Sequence, residues 1–131
     1  MIDKEIIRLA SNTKNVGLQN RYTYKITVKN QLCGDKITLE LITNKSKIKS
    51  MRYETESCVY CEASASFLSK KIKDSKINDI KKEILTLKSL IDQKNKFPKN
   101  LLKFKRLFRS DNFSRFKCII LPFDAVLKAL K

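Results

Sequence analysis

Histidine and tryptophan are absent from this chain of 131 residues, glycine and proline occur only twice each, and no apolar run approaches the length that spans a bilayer. The missing histidine removes imidazole both as a metal ligand and as an acid–base group. A metal shell here must be built from thiolates and carboxylates, and any chemistry must proceed without an imidazole base. No internal repeat and no low-complexity linker divides the sequence. At 42% hydrophobic content a chain of this length closes one core rather than two, so residues 1–131 are expected to form a single domain. The opening Met1-Ile2-Asp3-Lys4-Glu5 places acidic residues where a signal peptide is basic and then apolar, which predicts a cytoplasmic protein with no membrane partner. Thiols stay reduced there, so four cysteines point to metal or sulfur chemistry before disulfides.

What is abundant is lysine. The formal net charge is +16, and 23 of the 29 basic residues are lysine. A basic surface gains affinity for phosphate through counterion release, which would suit nucleic acid. Two features argue against that partner. The excess is spread over every part of the chain, and arginine, the residue suited to bidentate phosphate and base contacts, is scarce. A compositional bias toward lysine, isoleucine and asparagine accounts for the charge.

Hydrophobic periodicity then orders the elements. A short helix over Lys4 to Ala10 offers Ile6, Ile7 and Leu9 to the core, and Asn15-Val16-Gly17 forms a turn. From Tyr22 to Asn30 the pattern alternates, with Tyr22, Tyr24, Ile26 and Val28 on one face, as in a half-buried strand. Lys36 to Thr43 and Ile48 to Thr55 give two more strands, joined by Asn44-Lys45-Ser46, and the three read as an antiparallel meander. After Ser57 the period changes. Cys58, Cys61, Ala65, Leu68 and Ile72 share one helical stripe, Asp74 and Ser75 end that helix and cap the next, and Ile77, Ile80, Ile84, Leu87 and Ile91 form a long apolar seam. Pro98 opens a further amphipathic segment through Leu101, Phe104, Leu107 and Phe108. A last helix runs from Asn112 or Ser114 to Leu130. Strands followed by helices predict an α+β fold, a three-stranded antiparallel sheet packed against several helices.

The thiols fall on separate elements of that layout. Cys33 lies in the loop between the first two strands, where Gly34 permits a tight turn and Asp35 brings a carboxylate to the same place. Cys58 sits where the third strand passes into a helix, whose unpaired N–H groups and dipole favour a thiolate. Cys118 arrives from the last helix with Arg115 and Lys117 beside it. If these elements converge, Cys33, Asp35, Cys58 and Cys118 form a Cys3Asp shell for zinc or iron, with the carboxylate as the exchangeable member. Cys61, one turn beyond Cys58, reads equally as a packing thiol or as a further sulfur ligand or resolving thiol.

Cys33-Gly34-Asp35, then Cys58 followed by Ala63-Ser64-Ala65-Ser66, then Arg115-Phe116-Lys117-Cys118 resemble, in order and over nearly the whole chain, the NifU/IscU-like iron–sulfur cluster assembly scaffold family. Asn15-Val16-Gly17 is similar to that family's N-terminal Asn-x-Gly turn, and Leu121-Pro122-Phe123 to its Leu-Pro-Trp stretch. Where the IscU branch has histidine before the third cysteine this chain has Lys117, and the long interval from Cys58 to Cys118 is similar to the SufU branch. Ser57 and Gln31 stand where the family usually has glycine and proline. The resemblance implies a SufE/NifU-like fold and a site on Cys33, Asp35, Cys58 and Cys118 that holds zinc or a transient [2Fe–2S] cluster. It also implies a cysteine desulfurase and downstream cluster-assembly or acceptor proteins as partners. It implies a scaffold more than a catalyst, or a sulfurtransferase if the SufU-like reading holds. In that case Cys118 is the thiolate that attacks the persulfide.

Two readings lie outside that family. Cys58-Val59-Tyr60-Cys61 at a helix start would suit a dithiol redox protein, but it leaves Cys33, Asp35 and Cys118 without a role. A basic nucleic-acid or acidic-partner module ranks last; the run Lys103-Phe104-Lys105-Arg106-Leu107-Phe108-Arg109 interleaves aromatics with charge, but its apolar members share one face, as in a packed amphipathic helix.

Overall fold

Alternating side chains produce three strands in the computed structural model, which describes residues 4–30, 34–93, 107 and 116–130. They are β1 (Tyr24–Lys29), β2 (Lys36–Asn44) and β3 (Lys47–Glu56), paired antiparallel in the order β1-β2-β3. The register stacks Val28 on Ile37, Ile26 on Leu39, Leu39 on Tyr53 and Leu41 on Met51, so one face is apolar from edge to edge. Ile37, Leu39 and Leu41 are fully buried, each contributing about 1.5–3 kcal/mol of transfer free energy. β1 starts two residues later than the alternation suggests. Tyr22 and Tyr24 stay 49% and 37% exposed.

The helices are α1 (Lys4–Ser11), α2 (Val59–Lys71), α3 (Ile77–Gln93) and α4 (Phe116–Ala129). α2 and α4 lie against the sheet and each other, α1 packs on α2, and α3 packs on α4. Ile6 and Leu9 of α1 are buried on one stripe, while Ile7, a helical step of 100° away, is exposed. α2 is covered on several sides at once. Cys61 and every residue from Ala63 to Ser69 are buried, more than a single stripe would give, and the small side chains of Ala63, Ser64, Ala65 and Ser66 permit it. In α3, Ile80, Ile84 and Leu87 form the expected seam. Ser75 does not cap α3. Its hydroxyl donates back to the Lys71 carbonyl, while the Asp74 N–H and the Ser75 carbonyl bond to Ile48, tying the α2–α3 connection to the start of β3.

The segment after α1 runs along the β3 edge and over one part of the sheet's other face, which is otherwise largely exposed. The Gly17 N–H donates to the Tyr53 carbonyl at 2.8 Å and the Tyr53 N–H to the Asn15 carbonyl at 3.2 Å, giving the Asn15-Val16-Gly17 turn a place on the β3 edge. Glu40 is fully buried beneath this segment. Its carboxylate accepts the N–H groups of Gln19 and Asn20, with the Lys25 ammonium 3.8 Å away. A buried charge so supplied with donors is tolerated where an isolated one would not be.

Pro98, Leu101, Phe104, Phe108, the proposed start of the last helix at Asn112 or Ser114, Arg115 and Cys33 lie outside the described residues. Leu107 is described, and it is buried. No helix among the described residues is long and apolar enough to cross a membrane.

Candidate functional site

At the root of the β1–β2 hairpin the Asn30 N–H donates to the Asp35 carbonyl at 2.7 Å, and the Gly34 N–H donates to the Asn30 carbonyl at 2.8 Å. Gly34 has φ +76°, a left-handed conformation that glycine adopts without strain. This turn delivers Asp35 to the first position before β2 with its carboxylate pointing inward, and the residue is only 5% exposed.

Opposite stands the start of α2. Cys58 is its N-cap, with an extended backbone, and its sulfur does not cap the helix. Instead the Cys58 N–H donates to Asp35 Oδ1 at 3.2 Å and the Cys58 thiol donates to Asp35 Oδ2 at 3.4 Å. The third side comes from α4, where Cys118 is buried in the first turn. α4 is fixed against α2 next to this cysteine, since the buried Ser64 hydroxyl donates to the carbonyl of Ile119.

The result is one carboxylate and two sulfurs whose ligand atoms all lie within 4.8 Å of one another. Zinc–sulfur bonds of about 2.3 Å in a tetrahedron separate two sulfurs by about 3.8 Å, so closing this group on an ion requires a contraction of at most roughly 1 Å. The donors are those that a thiophilic divalent metal or an iron–sulfur cluster accepts. Three of the four residues expected to converge therefore do so, and Cys33 lies outside the described residues two positions before Asp35.

Cys61 is set apart from this group. It is fully buried among the core residues of α2, and burial pushes its thiol up to about 12, a Ser57 hydrogen bond opposing and the charges of Asp35, Cys58 and Glu62 reinforcing the shift. Such a thiol stays protonated at neutral pH. None of the three described cysteines is in a disulfide.

Sequence reasoning overlooked the residues that hold the site rather than form it. Ser64 was legible only as one member of an Ala-Ser-Ala-Ser run; the signal was its small size, which lets α4 approach α2 closely. Glu62 accepts the Thr55 hydroxyl at 2.7 Å and so ties the first turn of α2 to β3, a contact between elements that no local pattern announces.

Comparison with known proteins shows the fold and the family of the chain. The family model described as the NifU-like N terminal domain matches residues 1–105. The iron–sulfur cluster assembly scaffold protein IscU of Thermotoga maritima is 30% identical over 133 residues, an alignment that covers all of this chain and 93% of that protein. Among solved structures, a protein from Fervidobacterium islandicum described as an iron–sulfur cluster assembly scaffold for the SUF system superposes with a TM-score of 0.86 at 22% identity, over 99% of this chain and 96% of that one. The N-terminal part of a nitrogen-fixing NifU-like protein from Brucella abortus gives 0.84 at 21% identity, over 98% and 90%. At these identities the two structures show a common fold. The family model and the Thermotoga relative show more: the chain belongs to the NifU-like N-terminal domain family.

Proposed function

We propose that this chain, as one domain over residues 1–131, is an iron–sulfur cluster assembly protein of the NifU and SufU kind. In this reading Cys33, Asp35, Cys58 and Cys118 hold either zinc or a transient [2Fe–2S] cluster. The observation that carries the reading is the convergence of Asp35, Cys58 and Cys118 from three separate elements, with their ligand atoms within 4.8 Å. Family membership and a relative named as a cluster assembly scaffold support it.

The finer reading is sulfur acceptance. The Cys118 thiolate attacks the outer sulfur of a persulfide on a cysteine desulfurase, a new S–S bond forms at Cys118, and the desulfurase cysteine leaves as thiolate. No acid–base residue is needed, which suits a chain without histidine. Zinc bound at the site would keep its sulfurs deprotonated and ready for exchange. Asp35, the hard oxygen donor among sulfurs, is the member that yields its place most readily. Sulfur or cluster then passes to downstream assembly or acceptor proteins in the cytoplasm.

The test is the zinc, iron and acid-labile sulfide content per chain of protein purified anaerobically without added metal. About one zinc and no sulfide supports sulfur acceptance, and iron with equal sulfide supports the cluster scaffold. A folded chain that binds neither, and that cannot be loaded with zinc, would sink both versions. Cys118→Ser that still gained sulfur from the desulfurase at the wild-type rate would remove Cys118 as the nucleophile.

A further inference from the structure

Cys61 is the one described cysteine left out of the Asp35–Cys58–Cys118 group. Its place on α2 nevertheless gives it a reactive neighbour. Cys58 is the N-cap of α2 and Cys61 the third residue of its first turn, and that turn is closed by the Glu62 N–H on the Cys58 carbonyl at 3.2 Å. Cys-x-x-Cys across a helix start is a spacing at which one thiol can close a disulfide on the other.

The two thiols differ in access. Cys58 is half-buried and open to an incoming group, whereas Cys61 is fully buried and can react only with a group already on its own turn. The Asp35 carboxylate accepts the Cys58 thiol at 3.4 Å, and its charge is also felt at Cys61. An accessible first thiol with a buried carboxylate against it, and a sheltered second thiol on the same turn, are the parts of a dithiol reductant.

We propose that Cys61 is a resolving thiol, which expels sulfur carried on Cys58 as hydrogen sulfide and closes a Cys58–Cys61 disulfide. The proposal rests on the sulfur-acceptor reading above. A persulfide on Cys118 lies within exchange distance of Cys58, since the two sulfurs are no more than 4.8 Å apart. The Cys58 thiolate takes the outer sulfur, and Cys118 leaves as thiolate. Cys61 then attacks the inner sulfur of the Cys58 persulfide, the S–S bond to the outer sulfur breaks, and the Cys61 proton leaves with the departing sulfide as hydrogen sulfide. The sulfane sulfur is reduced by two electrons and the two thiols are oxidised to a disulfide, so the step needs no outside reductant.

Burial keeps the proton on Cys61 and slows this attack. A fixed neighbour offsets the delay, because well-oriented intramolecular partners reach effective molarities of about 10⁵ M or more. The product disulfide takes Cys58 out of the donor set, so the site stays unable to hold metal until a further thiol reduces it.

The experiment uses the full chain, stripped of metal by chelator and treated anaerobically with glutathione persulfide, the excess then being removed. The expected result is about one hydrogen sulfide per chain, a mass lower by two hydrogens, and a disulfide mapped by peptide mass spectrometry to Cys58 and Cys61. Cys61→Ala should instead keep the added sulfur and release sulfide at least about 10-fold more slowly. A wild-type chain that retains the sulfur with Cys61 unmodified, or that links Cys58 to Cys118, overturns the proposal while leaving sulfur acceptance intact. If neither protein takes up sulfur, sulfur acceptance itself fails and this step with it. The mapping is done on the wild-type chain, so a poorly folded variant does not obscure the answer.

Discussion

Asp35 accepts two hydrogen bonds from a single residue, Cys58: the backbone N–H at 3.2 Å on one carboxylate oxygen and the thiol at 3.4 Å on the other. The carboxylate therefore sets both the start of α2 and the direction of its first sulfur. A side chain that would otherwise cap the helix is instead held on Asp35, within 4.8 Å of the Cys118 sulfur. Structure and donor set are thus coupled through one buried group, and removing it must disturb both.

Asp35→Ala tests that coupling. The half-buried Cys58 N–H loses its acceptor, a loss of about 1–3 kcal/mol that urea unfolding of the metal-free protein will read as a lower midpoint with unchanged slope. Zinc affinity should fall by about 10-fold or more in chelator competition. Unchanged affinity would show that Asp35 is a structural acceptor and not a ligand.

Much of this arrangement is legible in the sequence. The period-two alternation of Ile37, Leu39 and Leu41 and the period change after Ser57 follow from burial on one face, which a sequence records directly. Cys33-Gly34-Asp35 and Cys58 marked the site because a glycine in the left-handed region and a cysteine at a helix start are local features. Glu40 and Ser64 were not legible. Glu40 lies on the polar face of β2 and is buried only because residues 15–20 fold back over it, and the partner of Ser64 is 55 residues away. Long-range coverage of this kind leaves no periodic trace.

Ser64→Ala should loosen the joint between α2 and α4. The Ile119 carbonyl loses a buried donor, so stability should drop by about 0.5–1.5 kcal/mol in denaturant unfolding. Because Cys118 precedes Ile119, zinc retention should weaken as well, measured as faster loss to a chelator. A stability loss with no change in zinc loss would mean that other α4 contacts position Cys118.

Glu40→Ala is the contrasting case. It removes the acceptor of the Gln19 and Asn20 N–H groups on the far face of the sheet. Bonds to a charged acceptor are worth about 1.5–3 kcal/mol, so the unfolding midpoint should fall more than for Ser64→Ala. Metal content per folded chain should match the wild type. Hydrogen exchange at Gln19 and Asn20 should rise, which reports the local loss directly.

The pH dependence of stability carries the imprint of Cys61. Its thiol ionises near 9.0 when unfolded and only at about 12 when folded, chiefly because burial opposes the charged form. Between those values the unfolded chain has released the proton and the folded chain still holds it, so stability must fall as pH rises. The contribution is fully present below pH 9.0 and is lost progressively toward pH 12. Tyr53, also raised by burial, acts in the same direction over the alkaline range, and the comparison must therefore be made between proteins that share it. Metal-free Cys61→Ala should lose less stability than metal-free wild type between pH 9 and the highest pH at which unfolding stays reversible. Urea midpoints measured across that range give the difference. Parallel curves would mean that Cys61 meets solvent more readily than its burial implies, and would favour a mobile first turn of α2 over a rigid one.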